Sequence, residues 1–155
     1  MKRHLTLLFI AISTIIYAQD SLELEEVNYA GKTIQLKENC KKNSETEVRC
    51  NGSSTQWRYL ENEMEGMGKI ITEQLLSQYQ SDPNFIDKTE IKMNSFGSEL
   101  TGYKFQFLRE DKSIYFIALT GKVKETAIIM YFGAMHDIKE TSDLNQFQRQ
   151  ILSVE

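Results

Sequence analysis

The chain has 155 residues and a formal charge of −4, and beyond its first few residues the local excess of basic residues is confined to Lys41-Lys42 beside Glu38, Glu45 and Glu47. No basic stripe is available for phosphates, so nucleic acid is excluded as an expected partner. Seven Tyr, eight Phe and one Trp against a single Pro argue for a folded chain rather than a disordered one, at a length that fits one compact domain.

Residues 1–18 have the layout of a secretory signal peptide. Lys2, Arg3 and His4 form a basic head, residues 5–17 are almost unbroken apolar sequence, and Ala18 supplies a small residue for cleavage before Gln19. The apolar run is shorter than the ~20 residues a bilayer core requires, so no membrane span is expected in the mature chain. Removing residues 1–18 leaves 16 basic residues against 22 acidic ones, a charge of −6. The predicted organisation is a signal peptide at 1–18, an N-terminal arm at 19–32 and a single domain at 33–155. The localisation implied is export, periplasmic or secreted.

Residues 19–30 are acidic without clear periodicity, compatible with a frayed arm or an edge strand. Residues 33–37 and 47–50 read as two short strands around a polar turn. Cys40 and Cys50, ten positions apart in a chain bound for an oxidising compartment, are expected to form a disulfide that staples this hairpin. Closing so short a loop stabilises by roughly 2.5 to 3 kcal/mol on the chain-entropy description. Asn51-Gly52 marks a second reversal, and with Ser53 it also matches a glycosylation sequon that reads here as turn chemistry.

From Leu60 the period changes. Leu60, Met64, Met67, Ile71 and Leu75 recur at three- and four-residue steps, which predicts a helix that Asp82-Pro83 stops, with Glu61, Glu63 and Glu65 near its start. Gly66 and Gly68 oppose that assignment at about 1 kcal/mol each, and close packing of the helix on a sheet is the expected compensation. Only one of the two can face the sheet, because positions two apart lie about 200° apart around a helix.

Four strands are expected next, at 90–96, 103–107, 114–119 and 127–132, joined by short polar connections at 97–102, 109–112 and 121–125 that imply antiparallel hairpins. The third and fourth are apolar on both faces and should be central. Leu144, Phe147, Ile151 and Val154 share one helical face, capped by Ser142 or Asp143, and predict a closing helix. The fold class expected is therefore α+β: an antiparallel sheet in the order ββ-α-ββββ-α, with one helix packed on each face. That order over residues 33–154 resembles the PsbP-like α/β/α domains, and the resemblance implies a small non-enzymatic accessory or binding domain; cystatin-like and NTF2-like folds remain open.

Candidate functional residues are few. His136-Asp137 is the one adjacent pair that resembles an acid–base site, but no Gly-x-Ser-x-Gly elbow or second mature histidine accompanies it. His136, Asp137 and Glu140 do not have the ligand spacing of a zinc or calcium site, so no metal or cofactor is expected. Trp57 and Tyr59, followed by Leu60, Met64 and Met67, read first as packing under the helix and second as a binding surface, for which an exposed tryptophan would serve as anchor. The function expected is that of an exported, non-enzymatic binding or accessory domain of unknown ligand, with another extracytoplasmic protein as a candidate partner. The alternatives are a small hydrolase using His136 and Asp137, and an inhibitor or immunity-type partner of a secreted protein. Intact-mass measurement on exported material should give a chain beginning at Gln19 or within two residues of it; a mass retaining residues 1–18 would refute cleavage.

Overall fold

A computed structural model describes residues 25–37, 39–61 and 66–155; the signal-like segment, Glu38, Met64, Glu63 and Glu65 lie outside them. Ten strands dominate: β1 (Glu26–Tyr29), β2 (Lys32–Gln35), β3 (Cys40–Ser44), β4 (Glu47–Cys50), β5 (Ser53–Leu60), β6 (Phe85–Ser95), β7 (Ser98–Arg109), β8 (Lys112–Val123), β9 (Thr126–Ala134) and β10 (Ser153–Val154). One long helix, α1 (Met67–Gln80), follows β5, and a single helical turn, α2 (Gln148–Ile151), precedes β10. Eight strands form one antiparallel sheet in the order β10-β6-β7-β8-β9-β5-β4-β3, while β1 and β2 pair as a separate hairpin. The expected central strands are β8 and β9, and they do stand in the middle.

This architecture corrects the α+β expectation of one helix per face: the fold is β-rich. Among the described residues only α1 packs on the sheet as a helix of more than one turn. It begins at Met67, not near Leu60, because residues 53–60 are held in strand by pairing with β4 on one side and β9 on the other. Leu60 ends that strand and packs with Ala127 and Ile129, whereas Met67 is exposed; Ile71 and Leu75 do face the sheet as the periodicity predicts.

The predicted closing helix is likewise corrected. Leu144, Phe147 and Ile151 are buried, but the chain reaches them through a 3-10 turn at Thr141–Asp143, one turn of α-helix and a strand. Helix formation stops after one turn because Val154 and Ser153 pair with Met93 and Asn94 at the sheet edge. Local polar bonds hold the turn: Asn145 and Gln148 each donate a backbone N–H to the other's side-chain oxygen at 2.9 Å, and the buried Gln148 amide donates to Thr55 Oγ1 at 3.0 Å.

The sheet therefore has two differently covered faces. On one, Trp57, Met93, Leu100, Ile117, Leu119, Ile128, Met130 and Phe132 meet Val27 and Tyr29 from the β1–β2 hairpin and the buried residues of the C-terminal segment. The acidic N-terminal stretch thus becomes a strand from Glu26 onward, since Val27 and Tyr29 alternate inward. Tyr29 is fully buried, its hydroxyl 3.0 Å from Ser95 Oγ. On the other face, Phe105, Phe107 and Ala118 pack under Leu75, Leu76 and Tyr79 of α1.

Cys40 and Cys50 are joined, as expected, but across β3 and β4, where they are direct register partners with Cα atoms 4.1 Å apart. Residues 32–35 pair with β1 instead of with 47–50. The turns of the meander are tighter than the sequence suggested. Phe96-Gly97, Glu110-Asp111 and Lys124-Glu125 all have positive φ at both positions, the form that matches the twist of a two-residue hairpin. Gly102 consequently sits inside β7, where a Cβ would lie 1.9 Å from the Ala118 carbonyl oxygen of β8.

Of the two helix-region glycines, Gly68 is the inward one. A Cβ there would meet Thr120 Oγ1 at 2.0 Å, while at Gly66, just before the helix, it would meet nothing within 4 Å. Gly68→Ala should destabilise by roughly 1 to 3 kcal/mol through overpacking, against the up to ~1 kcal/mol that helix propensity alone would add. Gly66→Ala should be neutral or mildly stabilising. Denaturant melts of the two single variants check the opposite signs.

Candidate functional site

Because α1 lies along β8 on an eight-stranded sheet, it leaves sheet surface open on both flanks. Toward β5 and β4 there is a groove of about 690 Å³ whose floor includes Phe116, Tyr131 and Gly133, with Leu75 of α1 as one wall and the Asn51-Gly52 turn, Ser54 and Gln56 along the opposite side. Met135, 72% exposed, stands at its end. The volume falls in the range of small-molecule sites, and the mostly apolar lining with a few polar groups on one side is the composition such sites have.

The floor is set by strand alternation. Phe116 and Tyr131 project to the α1 face from β8 and β9 and stack at 6.0 Å between ring centroids with planes 19° apart. Tyr79 holds Phe116 edge-on from the helix at 5.3 Å, and Phe105 continues the row at 6.3 Å. Gly133 is the register partner of Phe116. It carries no side chain to cover that ring, and a Cβ there would find only Tyr115 O, at 3.8 Å. Its glycine is not needed for packing, and its effect is to keep the floor uncovered.

A smaller polar recess of about 240 Å³ adjoins the groove and shares Gln56 and Tyr131 with it; Glu47 and Arg58 also line it. Glu47 is well satisfied. It accepts from Ser54 Oγ at 2.7 Å and Asn43 Nδ2 at 2.7 Å, and these bonds, led by Ser54, hold its carboxyl below the usual range despite some desolvation. Arg49 adds an ion pair at 3.5 Å. Burial pushes the Tyr131 hydroxyl upward, partly opposed by the charge of Arg58, and Tyr79 is raised by burial too. Both phenols therefore stay protonated at neutral pH.

On the other flank of α1 a second groove, about 510 Å³, is lined by Lys69, Glu73, Glu90, Lys92 and Tyr103. Its charges are mixed and locally paired, Lys69 with Glu73 and Lys92 with Glu99. It lacks the open apolar floor of the first.

None of the candidate site residues Trp57, Tyr59, His136 and Asp137 lines the large groove. Trp57 is 2% exposed on the opposite face, stacked on Phe147 at 5.7 Å and edge-on to Tyr29 at 5.5 Å, with its Nε1 unpartnered. It packs beneath the N-terminal hairpin and not beneath α1. Tyr59 pins that hairpin, accepting the Ala30 N–H at 2.7 Å. His136 is exposed, its Nε2 donating to the Asp143 carbonyl at 2.9 Å. Asp137 bonds Lys104 and lies 3.6 Å from Lys139, so it ties the C-terminal segment to β7 instead of orienting His136.

Sequence reading missed Phe116, Tyr131, Gly133, Gln56 and Arg58. A signal existed in β5, where Gln56 and Arg58 alternate with inward Trp57 and Tyr59, placing two polar residues beside strands apolar on both faces. Among the described residues no cluster of three or more potential metal-ligating side chains occurs, and no helix is long and apolar enough to cross a membrane.

No protein-family model matches the chain and no curated protein matches it. Among solved structures, it is similar to a protein of unknown function from Pseudomonas aeruginosa, at 10% identity and a TM-score of 0.34 over 72% of this chain and 83% of the other.

The placement of His136 and Asp137 leads to different expectations for the two. Asp137→Ala leaves Lys104, only 13% exposed at its side chain, without its carboxylate, and should lower stability by about 1 to 3 kcal/mol. His136→Ala should stay within ~0.5 kcal/mol. Thermal melts of both variants check this.

Proposed function

We propose that this chain is an exported, non-enzymatic binding domain that holds an apolar ligand in the groove between α1 and β5. The observation that carries the reading is the half-buried aromatic floor: Phe116 and Tyr131 stack beneath an opening over which Gly133 places no side chain. Open apolar surface of this kind on a sheet is retained at a cost in solubility, and covering it with a ligand recovers about 25 cal/mol per Å² buried.

Export is supported by the signal layout of residues 1–18 and by the Cys40–Cys50 disulfide, which persists in oxidising compartments. Hydrolysis by His136 and Asp137 has no comparable support, because neither lines a groove with a nucleophile: His136 is bonded to a backbone carbonyl and Asp137 to lysines.

The test uses the neutral fluorophore 1-N-phenylnaphthylamine, which brightens on entering an apolar site. The full mature chain should enhance its emission saturably. Gly133→Leu, which places a side chain over the Phe116 ring in a strand of ordinary backbone geometry, should weaken the probe by about tenfold or more, with circular dichroism and melting temperature retained. No saturable enhancement by the unaltered chain would overturn the reading.

A further inference from the structure

The groove and its adjoining recess carry charged side chains at one end only, and that asymmetry defines the ligand. Gln56 and Arg58 project from β5 on the α1 face, Gln56 opposite Tyr131 and Arg58 opposite Ile129 in the β5–β9 register, so Arg58 is diagonal to Tyr131. The recess they line opens from the apolar groove through the shared residues Gln56 and Tyr131. An occupant lying along the floor from Met135 past Phe116 arrives with its end at Arg58.

Two charged groups face that end, and they differ in what they have left to give. Glu47 is committed to Ser54, Asn43 and Arg49. Arg58 is exposed and, among the described residues, forms no ion pair or side-chain hydrogen bond. A guanidinium offers a planar fork of donors that matches a carboxylate in two parallel bonds. The protonated hydroxyl of Tyr131 adds a neutral donor on the same side.

Resting on the binding reading above, we propose that the ligand is a monoanionic amphiphile, an acyl or similar apolar chain seated over Phe116, Tyr131 and Leu75 with its carboxylate on Arg58. A cationic head is disfavoured because the Glu47 carboxylate already has three partners, and a neutral head leaves the Arg58 fork unused.

Competition against bound 1-N-phenylnaphthylamine on the full mature chain separates these cases, with decanoate, decanol and decylamine as competitors of equal chain length. Decanoate should displace the probe at about tenfold lower concentration than decanol, consistent with one charge-assisted, partly exposed contact. Arg58→Gln should remove that preference while leaving probe affinity and displacement by decanol unchanged. Equal displacement by decanoate and decanol, decylamine as the best competitor, or a decanoate preference that survives in Arg58→Gln would each overturn the ligand class. The apolar groove would still stand in those cases, since the probe binds; failure of the probe to bind removes both.

Discussion

The structure depends on a single demand: β8 and β9 are apolar on both faces, so the sheet must be covered twice. Ile117, Leu119, Ile128 and Met130 face one way, and Phe116, Ala118, Ile129 and Tyr131 the other. The first side is closed by two independent pieces of chain, the β1–β2 hairpin and the C-terminal segment. Among the described residues the second receives only α1, whose 14 residues make a rod about 21 Å long and roughly 10 Å wide. Eight strands at about 4.8 Å spacing span about 34 Å. One helix cannot shield that width, and the groove is the geometric remainder.

The remainder is placed where the sheet can tolerate it. Toward β7, the helix seals Phe105 and Phe107 with Tyr79, with ring centroids 5.0 and 5.3 Å apart in the edge-to-face arrangement that adds to area burial. Its N-terminal end is drawn onto β8 at Gly68, beside Thr120. These contacts fix the line of α1 along β8 and commit it away from β5. Phe116 is then held by Tyr79 and Tyr131 by Phe116, each half-buried with part of its surface open to the groove. Rigidity of this kind lowers the ordering cost of binding, because the floor has few rotamers left to lose.

Much of this was legible in the chain. Period-two alternation identified β6 and β7, runs apolar on both faces identified β8 and β9, short polar connections implied their antiparallel order, and cysteine spacing identified the disulfide. The glycine conflict at 66 and 68 correctly implied one close helix–sheet contact. Three features were not legible, each for a physical reason. The stripe at Leu144, Phe147 and Ile151 satisfies a helical period although the chain turns through a 3-10 turn, one α-turn and a strand, since burial selects the residues without fixing the backbone between them. Glu110-Asp111 and Lys124-Glu125 adopt left-handed turns without glycine, because pairing of long flanking strands overrides their local preference. The groove was invisible because it arises from a mismatch of widths between elements, and no residue announces it. Gly133 ends a β-rich segment, and its meaning depends on Phe116 lying opposite.

The disulfide acquires a specific role in this setting. It joins β3 to β4 at the outer edge of the sheet, where β3 has no further neighbour in the sheet order and each additional strand is held by few contacts. Cys50 is followed directly by the Asn51-Gly52 turn that lines the groove, and β4 supplies Glu47 beneath Ser54. An edge ladder of four or five residues is among the least stable parts of a sheet and opens first in local unfolding. A covalent link between register partners Cys40 and Cys50 opposes that opening at the one edge that forms a wall of the site. The crosslink thus bears on the groove as well as on global stability: Cys40, Val48 and Cys50 are buried on the core side, and the bond holds the edge whose other side walls the groove.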